Sequence, residues 1–277
     1  MEDINVIDWL NYCDENNIKP WLWDFKNYSL SPFPNDSITA FLKYKELPEN
    51  EGIDCDKAAL FLYKVLGWQD DPEAITRGET INSYTTTFTQ AVIKDPNYKK
   101  ICKKIGVNLV EYLNKQYSIL YHNKNYQNFD IIQKNIKGFE LFAKLTHTIG
   151  NFTVLPRWMN TGRYNFSKDY WDITMLSLQE WFAILPNGTW NSFVNTFYLQ
   201  PYVNDKYEVE LFWDNHTDSK PFPELQHYSI FLKKVNERIE ERGKFIIKQV
   251  CDKLNKKDYH FYKEIENMDK IKFSNEF

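Results

Sequence analysis

Apolar residues recur every three or four positions in several stretches of the chain, which is the period of one buried face of an α-helix. The longest such stretch predicts a helix over about residues 224–254, with its apolar positions at Leu225, Tyr228, Phe231, Val235, Ile239, Ile246 and Val250. The same period predicts further helices at about 3–16, from Asp56 onwards, at 129–146, from Ser167 onwards and near 258–268.

β character is confined to two short segments. Residues 151–155 end at Pro156, and residues 207–213 alternate in part between apolar and polar side chains. The first segment predicts a small β element, with the second as its candidate partner strand. Residues 69–78 are predicted to form a polar loop. Residues 79–93 are predicted to form a helix despite three consecutive threonines. The predicted fold class is therefore mainly α, a compact helical domain with one small β element.

The chain contains no repeat, no low-complexity tract and no linker long enough to mark a domain boundary. Residues 1–277 are therefore predicted to form a single helical domain. Residues 18–54 are rich in aromatic residues and proline, and they predict an irregular N-terminal segment packed on that domain. Its aromatic cluster, which includes Trp21 and Trp23, fits core packing or a surface for a protein partner, and it also fits base stacking.

Composition narrows the class of protein. Hydrophobic residues make up 43% and aromatic residues 17% of the chain, which predicts a folded chain. The net charge of −4 excludes a general polycation, so a nucleic-acid partner would need a local basic patch. The excess of 29 lysines over five arginines is typical of an AT-rich bacterial or phage coding sequence.

Several features predict a cytoplasmic protein without a membrane partner. No apolar run approaches the roughly 18–20 residues that span a bilayer. The chain opens with Glu2 and Asp3, and it shows no basic and apolar run typical of a secretory signal. The four cysteines are scattered without a C-x-x-C pair, which predicts buried thiols in a reducing compartment.

The first segment with candidate chemistry runs from residue 146 to residue 168. Its polar candidates are His147, Asn151, Asn160, Arg163 and Lys168. Histidine suits acid–base chemistry because it titrates near neutrality, and the asparagines suit substrate positioning. The arginine and lysine side chains suit the binding of an anion. Gly150 predicts a sharp turn or a close backbone approach.

The second segment, residues 77–83, has the sequence R-G-E-T-I-N-S at a predicted loop-to-helix junction. Arg77, Thr80 and Asn82, together with free N–H groups at the start of the helix, predict a site for an anion such as a phosphate. A common site requires the stretches near residues 80 and 150–165 to converge in the folded chain.

Each candidate residue also has a structural alternative. His147 fits a buried or capping imidazole that bonds to the backbone. Asn151 and Asn160 fit turn formation. Arg77 and Arg163 fit ion pairs with nearby carboxylates as well as anion binding.

The stretch H-T-I-G-N-F-T-V-L, followed by Asn160 and Lys168, resembles the second half of the His-metal finger nuclease domain in modification-dependent restriction enzymes. In those enzymes the histidine of an upstream Asp/Glu-His-Ile motif acts as general base on water beside one metal ion, so the resemblance implies Mg²⁺ or Mn²⁺ as the candidate cofactor. The upstream Asp/Glu-His-Ile motif of those enzymes does not occur in this sequence. No metal-ligand set is predicted, because Asp214, His216 and Asp218 lack a fixed fourth ligand.

A wider resemblance, over about residues 35–205, is to an uncharacterised family of bacterial proteins. Its shared motifs R-G-[ED]-T-[IM]-N-S and H-T-I-G-N correspond here to residues 77–83 and 147–151. The resemblance implies one integrated domain and no particular activity.

Three functions fit these features. The leading hypothesis is a nucleic-acid- or nucleotide-directed protein, in concrete form a diverged, metal-dependent nuclease of a defence or mobile-element system. The first alternative is a non-catalytic interaction module, such as an inhibitor, an immunity protein or a complex subunit, that binds its partner through the aromatic N-terminal segment. The second alternative is a small-molecule or nucleotide sensor. Motifs for a phosphate-binding P-loop, a dinucleotide site, a nucleophile elbow or a zinc protease are absent from the sequence.

Overall fold

A computed structural model describes residues 2–23, 25, 55–68, 75–80, 138–156, 171–185, 189–212 and 225–271. Within them the α-helices are α1 (Glu2–Glu15), α2 (Cys55–Val65), α3 (Phe139–Leu145), α4 (Trp171–Ala183), α5 (Trp190–Thr196) and α6 (Leu225–Leu254). The strands are β1 (Ile75–Thr80) and β2 (Phe152–Pro156), and 3-10 turns lie at Pro20–Leu22, Ile149–Asn151, Gln200–Tyr202 and Phe261–Glu264. The predicted class, mainly helical with a small β element, is confirmed.

The longest helix, α6, has nearly the bounds that its apolar period predicts. The residues of its inner face that have no exposed surface include Phe231, Val235, Ile239, Ile246 and Val250. Packing of such a face, more than intrinsic propensity, stabilises a helix in a folded chain. The elements that pack on α6 include α2, α3 and the turns at Pro20–Leu22 and Ile149–Asn151. The helix therefore forms the support on which the candidate site is built.

The first aromatic residues of the N-terminal segment lie in the core. Trp21 is 1% exposed and Trp23 is 5% exposed. The Trp23 ring meets the Trp9 ring of α1 edge-on at 5.9 Å between centroids, and the Trp21 ring meets Phe261 at 6.5 Å. Core packing is thus the confirmed alternative for these two tryptophans, while residue 24 and residues 26–54 lie outside the described part of the chain.

β1 and β2 pair as a two-stranded antiparallel sheet. The β element predicted at 151–155 is therefore confirmed, one residue later than expected. The predicted loop and helix are wrong at residues 75–80, which form a strand. The physical reason is the pairing itself, because extended residues satisfy their backbone N–H and C=O groups on the neighbouring strand. The remainder of the predicted helix, residues 81–93, lies outside the described residues.

The candidate partner strand at 207–213 is not the partner of β2, because β2 pairs with β1. Within this segment Val209 makes an isolated antiparallel bridge with Val203. Further along, Phe212 N donates to Asp172 Oδ2 of α4 at 2.8 Å. The backbone of this segment is thus satisfied locally and by α4, and residue 213 lies beyond the described range.

α3 begins at Phe139, after Gly138, whose φ is 86°. Glycine adopts this left-handed conformation without strain. The same conformation cannot continue a right-handed helix, so α3 begins only after Gly138. The predicted helix at 129–146 is thus confirmed only for its second half, and residues 129–137 lie outside the description.

One buried apolar cluster takes in side chains from all six described helices. The assignment of residues 1–277 to a single domain stays a prediction, because large parts of the chain are not described. Among the residues that the structure does describe, no helix is both long enough and apolar enough to cross a membrane.

Candidate functional site

The two segments with candidate chemistry meet in the sheet. Thr80, at the end of β1, pairs with Phe152, at the start of β2. Phe152 directly follows the Ile149–Asn151 turn. The end of the R-G-E-T stretch therefore lies beside the turn that follows His147. Convergence near residues 80 and 150 is confirmed for these backbone positions.

Side-chain hydrogen bonds shape the turn that joins α3 to β2, residues 146–151, which we call the His147 turn. Thr146 Oγ1 donates to Phe142 O at 2.8 Å, and Thr148 Oγ1 donates to Leu145 O at 2.9 Å. Threonine side chains that bond to the preceding helical turn offer the backbone an alternative to a continued helix. α3 therefore ends here, and the chain turns into β2.

Asn151 is fully buried and braces the His147 turn from within. Its Nδ2 donates to Thr146 O at 2.7 Å, and its backbone N–H donates to Thr148 O at 2.9 Å. This geometry matches the turn-forming alternative for Asn151. A direct role of Asn151 in catalysis stays a prediction.

His147 has intermediate exposure. Its carbonyl oxygen accepts a hydrogen bond from Phe25 N at 3.0 Å, which ties the turn to the N-terminal segment. The Phe25 ring also contacts the Phe152 ring edge-on at 6.1 Å. The backbone that carries the imidazole is therefore held from the N-terminal side. Whether the ring performs chemistry stays a prediction.

Gly150 lies directly against the backbone of α6. A Cβ atom at this position would stand 1.9 Å from Ile239 O and 2.9 Å from Gly243 N. No residue with a side chain fits in that space, so the predicted close approach at Gly150 is confirmed. Gly243 in turn allows the Pro20–Leu22 turn to approach, since a Cβ there would lie 3.3 Å from Trp21 Cβ.

Arg242 of α6 is fully buried and binds the backbone on both sides of Asn151. Its Nη1 donates to Gly150 O at 2.7 Å and to Phe152 O at 2.8 Å. Its other acceptors are Tyr198 O at 3.0 Å from Nε, Phe197 O at 2.8 Å from Nη2, and the Tyr63 hydroxyl at 2.7 Å from Nη2. These bonds occupy all five N–H donors of a guanidinium. One side chain thus connects α2, the start of β2 and the end of α5.

The Tyr63 hydroxyl extends this network. It accepts from Arg242 and donates to Phe152 O at 2.7 Å. Burial raises the pKa of Tyr63, although the charge of Arg242 and its hydrogen bond act in the opposite direction. The hydroxyl therefore remains protonated at neutral pH and serves as a donor.

The predicted anion-binding residues are placed only in part. Arg77 pairs with Leu155 and Thr80 pairs with Phe152. Arg77 and Thr80 are three positions apart in the extended strand, which corresponds to about 10 Å. The sheet therefore sets Thr80 near the His147 turn and Arg77 towards the other end of the pair. The candidates that lie outside the described residues are Asn82, Asn160, Arg163 and Lys168.

The described ranges contain no group of three His, Cys, Asp or Glu side chains that could hold a metal ion. Cys13 and Cys251 are free and buried, as predicted for these two thiols. Burial, with a smaller contribution from Asp252, raises the pKa of Cys251 to about 12. Burial likewise raises the pKa of the Cys13 thiol well above its usual value. Both are therefore weak nucleophiles and weak metal ligands near neutral pH.

The two buried arginines of α6 were not among the residues predicted from the sequence. Arg238 is 4% exposed and Arg242 has no exposed surface. Arg242 falls three residues after Ile239 and four before Ile246, in phase with the buried face of the helix. An arginine on an apolar face, in a chain that otherwise uses lysine, was the available signal.

The described elements define a mainly helical protein in which the His147 turn is fixed against the long helix α6 and the two-stranded sheet packs on α2. Comparison with models of protein families, with curated proteins and with solved structures gave no match for this chain. The resemblances noted for its motifs therefore stay predictions.

Proposed function

We propose that this protein acts on nucleic acid or a nucleotide, in concrete form as a diverged nuclease of a bacterial or phage defence or mobile-element system. The supporting observation is the pairing of β1 with β2, which sets Thr80, the last residue of the R-G-E-T segment, beside the His147 turn and Arg77 further along the strand pair. Cleavage of a phosphodiester requires anion-binding groups and an acid–base group around one site. The two segments contain both kinds of residue.

The proposed roles follow from residue chemistry. His147 is the acid or base, and Asn160 positions the substrate. The residues that bind the anion are Arg77, Thr80, Asn82, Arg163 and Lys168. Asn151 contributes by bracing the turn, since its amide already bonds to Thr146 O. Mg²⁺ or Mn²⁺ is the proposed cofactor, which would stabilise charge on the phosphate.

The interaction module is the weaker alternative for the described part of the N-terminal segment. It requires an exposed apolar patch that includes Trp21 and Trp23. Both side chains are buried, and Phe25 beside them has no exposed surface. These three rings therefore contribute to the core and leave no surface of their own for a partner or for base stacking.

Nuclease assays with His147→Ala test the proposal. Single-stranded and duplex DNA and RNA are incubated with the full chain, with and without Mg²⁺ or Mn²⁺. The matched control is His260→Ala, because the His260 side chain is 83% exposed and bonds to Asp14, away from the turn. We expect cleavage by the wild type and by the control, and none by His147→Ala.

Thermal shift with inorganic phosphate, nucleotides and oligonucleotides provides the second measurement, because a ligand of the folded state raises its apparent stability. Stabilisation by nucleotides without cleavage would favour the sensor. Absence of both cleavage and stabilisation would refute the proposal.

A further inference from the structure

Two buried arginines one turn apart on α6 contact different parts of the chain. Arg238 Nε donates to Pro201 O at 2.7 Å, in the segment that follows α5. Arg242 Nη1 donates to Gly150 O and Phe152 O instead. The two residues are both buried arginines on the same helix. They can therefore be compared directly, because Arg238 bonds to Pro201 O whereas Arg242 bonds to the His147 turn.

A guanidinium is required for the bonds that Arg242 makes. Gly150 O and Phe152 O lie on either side of one residue, and a single nitrogen reaches both at 2.7 and 2.8 Å. The remaining nitrogens meanwhile bind Tyr198, Phe197 and Tyr63. Lysine has three donors on one nitrogen and no planar fork, so it cannot hold these positions together.

The position of His147 depends on these bonds. Its own carbonyl is held by Phe25 N at 3.0 Å, and the chain three residues later is held through Gly150 O. In addition, the side chain of Thr148 bonds to Leu145 O at the end of α3, and the side chain of Asn151 bonds to Thr146 O, just before His147. Little freedom remains for the backbone of His147 once both ends are fixed.

We infer that Arg242 is the positioning residue of the proposed site, which sets the His147 imidazole relative to the end of β1 through Gly150 and Phe152. The inference rests on the proposed function for its relevance to activity. Arg242 touches no reacting group, because it is fully buried and its donors are used on the protein itself.

The test compares Arg242→Lys with Arg238→Lys in the full chain without substrate. NMR spectra record the ring resonances of His147 and the amide resonances of residues 147–153, and thermal melts record stability. We expect both variants to melt at lower temperature, and only Arg242→Lys to displace the His147 signals. Identical His147 spectra in the two variants would overturn the inference.

Tyr63→Phe covers the case in which Arg242→Lys does not fold. It removes only the hydroxyl that accepts from Arg242 and donates to Phe152 O. We expect a smaller displacement of the same resonances. Unchanged signals from the His147 turn in this variant would also overturn the inference.

Activity separates this inference from the proposed function. With an active wild type, Arg242→Lys should lower kcat by on the order of 100-fold, with little change in KM, as expected when a reacting group is misplaced by about 1 Å. Arg238→Lys should keep kcat within a few-fold of the wild type. An inactive wild type refutes the proposed function, whereas the NMR comparison still decides whether Arg242 positions His147.

Discussion

Gly150→Ala is the most direct perturbation of the contact between the His147 turn and α6. The added Cβ would lie 1.9 Å from Ile239 O, 2.8 Å from Ile239 C and 2.9 Å from Gly243 N. All three are backbone atoms, so no flexible side chain can move aside. To restore ordinary contact near 3.5 Å, the turn must retreat from α6 by roughly 1.5 Å.

A retreat of this size also breaks specific hydrogen bonds. Arg242 Nη1 reaches Gly150 O at 2.7 Å and Phe152 O at 2.8 Å, and both distances would pass beyond hydrogen-bond range. Each bond from a charged donor contributes about 1.5–3 kcal/mol, and overpacking costs about 1–3 kcal/mol. We therefore expect Gly150→Ala to lower the free energy of unfolding by at least about 4 kcal/mol. Such a loss is a large fraction of the roughly 5–15 kcal/mol that stabilises a typical domain.

Urea unfolding followed by tryptophan fluorescence measures this loss, since the chain has nine tryptophans. Gly243→Ala is the matched control on the opposite side of the same contact, where the added Cβ meets Trp21 Cβ at 3.3 Å and Gly150 N at 3.5 Å. The gain of about 1 kcal/mol in helix propensity offsets that tighter contact, so we expect a net change within about 1 kcal/mol. Equal effects of the two substitutions, or a loss below about 1 kcal/mol for Gly150→Ala, would refute the reasoning.

Acid should weaken the packing of the C-terminal segment on α6. Burial alone raises the pKa of Asp252, but hydrogen bonds from Lys248, Tyr262 and Lys257 outweigh it and hold the pKa below its usual value. Such a carboxyl stabilises the fold above its unfolded pKa and loses that contribution as the pH falls through the folded value. Melts of Asp252→Asn should therefore show a shallower loss of stability than the wild type below about pH 4, and parallel curves would contradict this account. Because burial raises the pKa of Cys13 and Cys251, iodoacetamide at pH 8 should label neither thiol in the folded chain and both in urea, as read by peptide mass mapping. Rapid labelling of either thiol in the folded state would show that it is not buried. Asp172→Ala removes the acceptor of Phe212 N and should speed hydrogen exchange at that amide, and unchanged exchange would exclude the role given to Asp172.

The helices that the sequence predicts best are those with a long apolar period of their own. α6 repeats that period over many turns, so its pattern outweighs local irregularities. α5 spans seven residues and β1 spans six, too few for either to show a reliable period. The I-T-R-G-E-T sequence of β1 also contains glycine and charged residues, which disfavour a strand. Its extended state depends on β2, a partner far away in sequence.

Some features of the candidate site can also be predicted from the sequence, and others depend on tertiary packing. The close approach at Gly150 was predictable, because a glycine between two helical patterns indicates a special backbone position. Which residue it approaches was not predictable, since Ile239 and Arg242 lie about 90 residues further along the chain. Sequence spacing reports on neighbours along one helix, whereas tertiary packing decides which turn that helix supports.

Several independent contacts restrain the His147 turn, as the proposed positioning of His147 requires. Asn151 braces the turn from within, Gly150 presses it against Ile239, and Arg242 binds it through two carbonyl oxygens. A simple connection between a helix and a strand needs none of these. Burying a guanidinium also carries a large desolvation cost, and an apolar side chain of similar size often stabilises a core equally well. Arg242 fixes the backbone at Gly150 and Phe152, which is the geometry that the proposed positioning role requires.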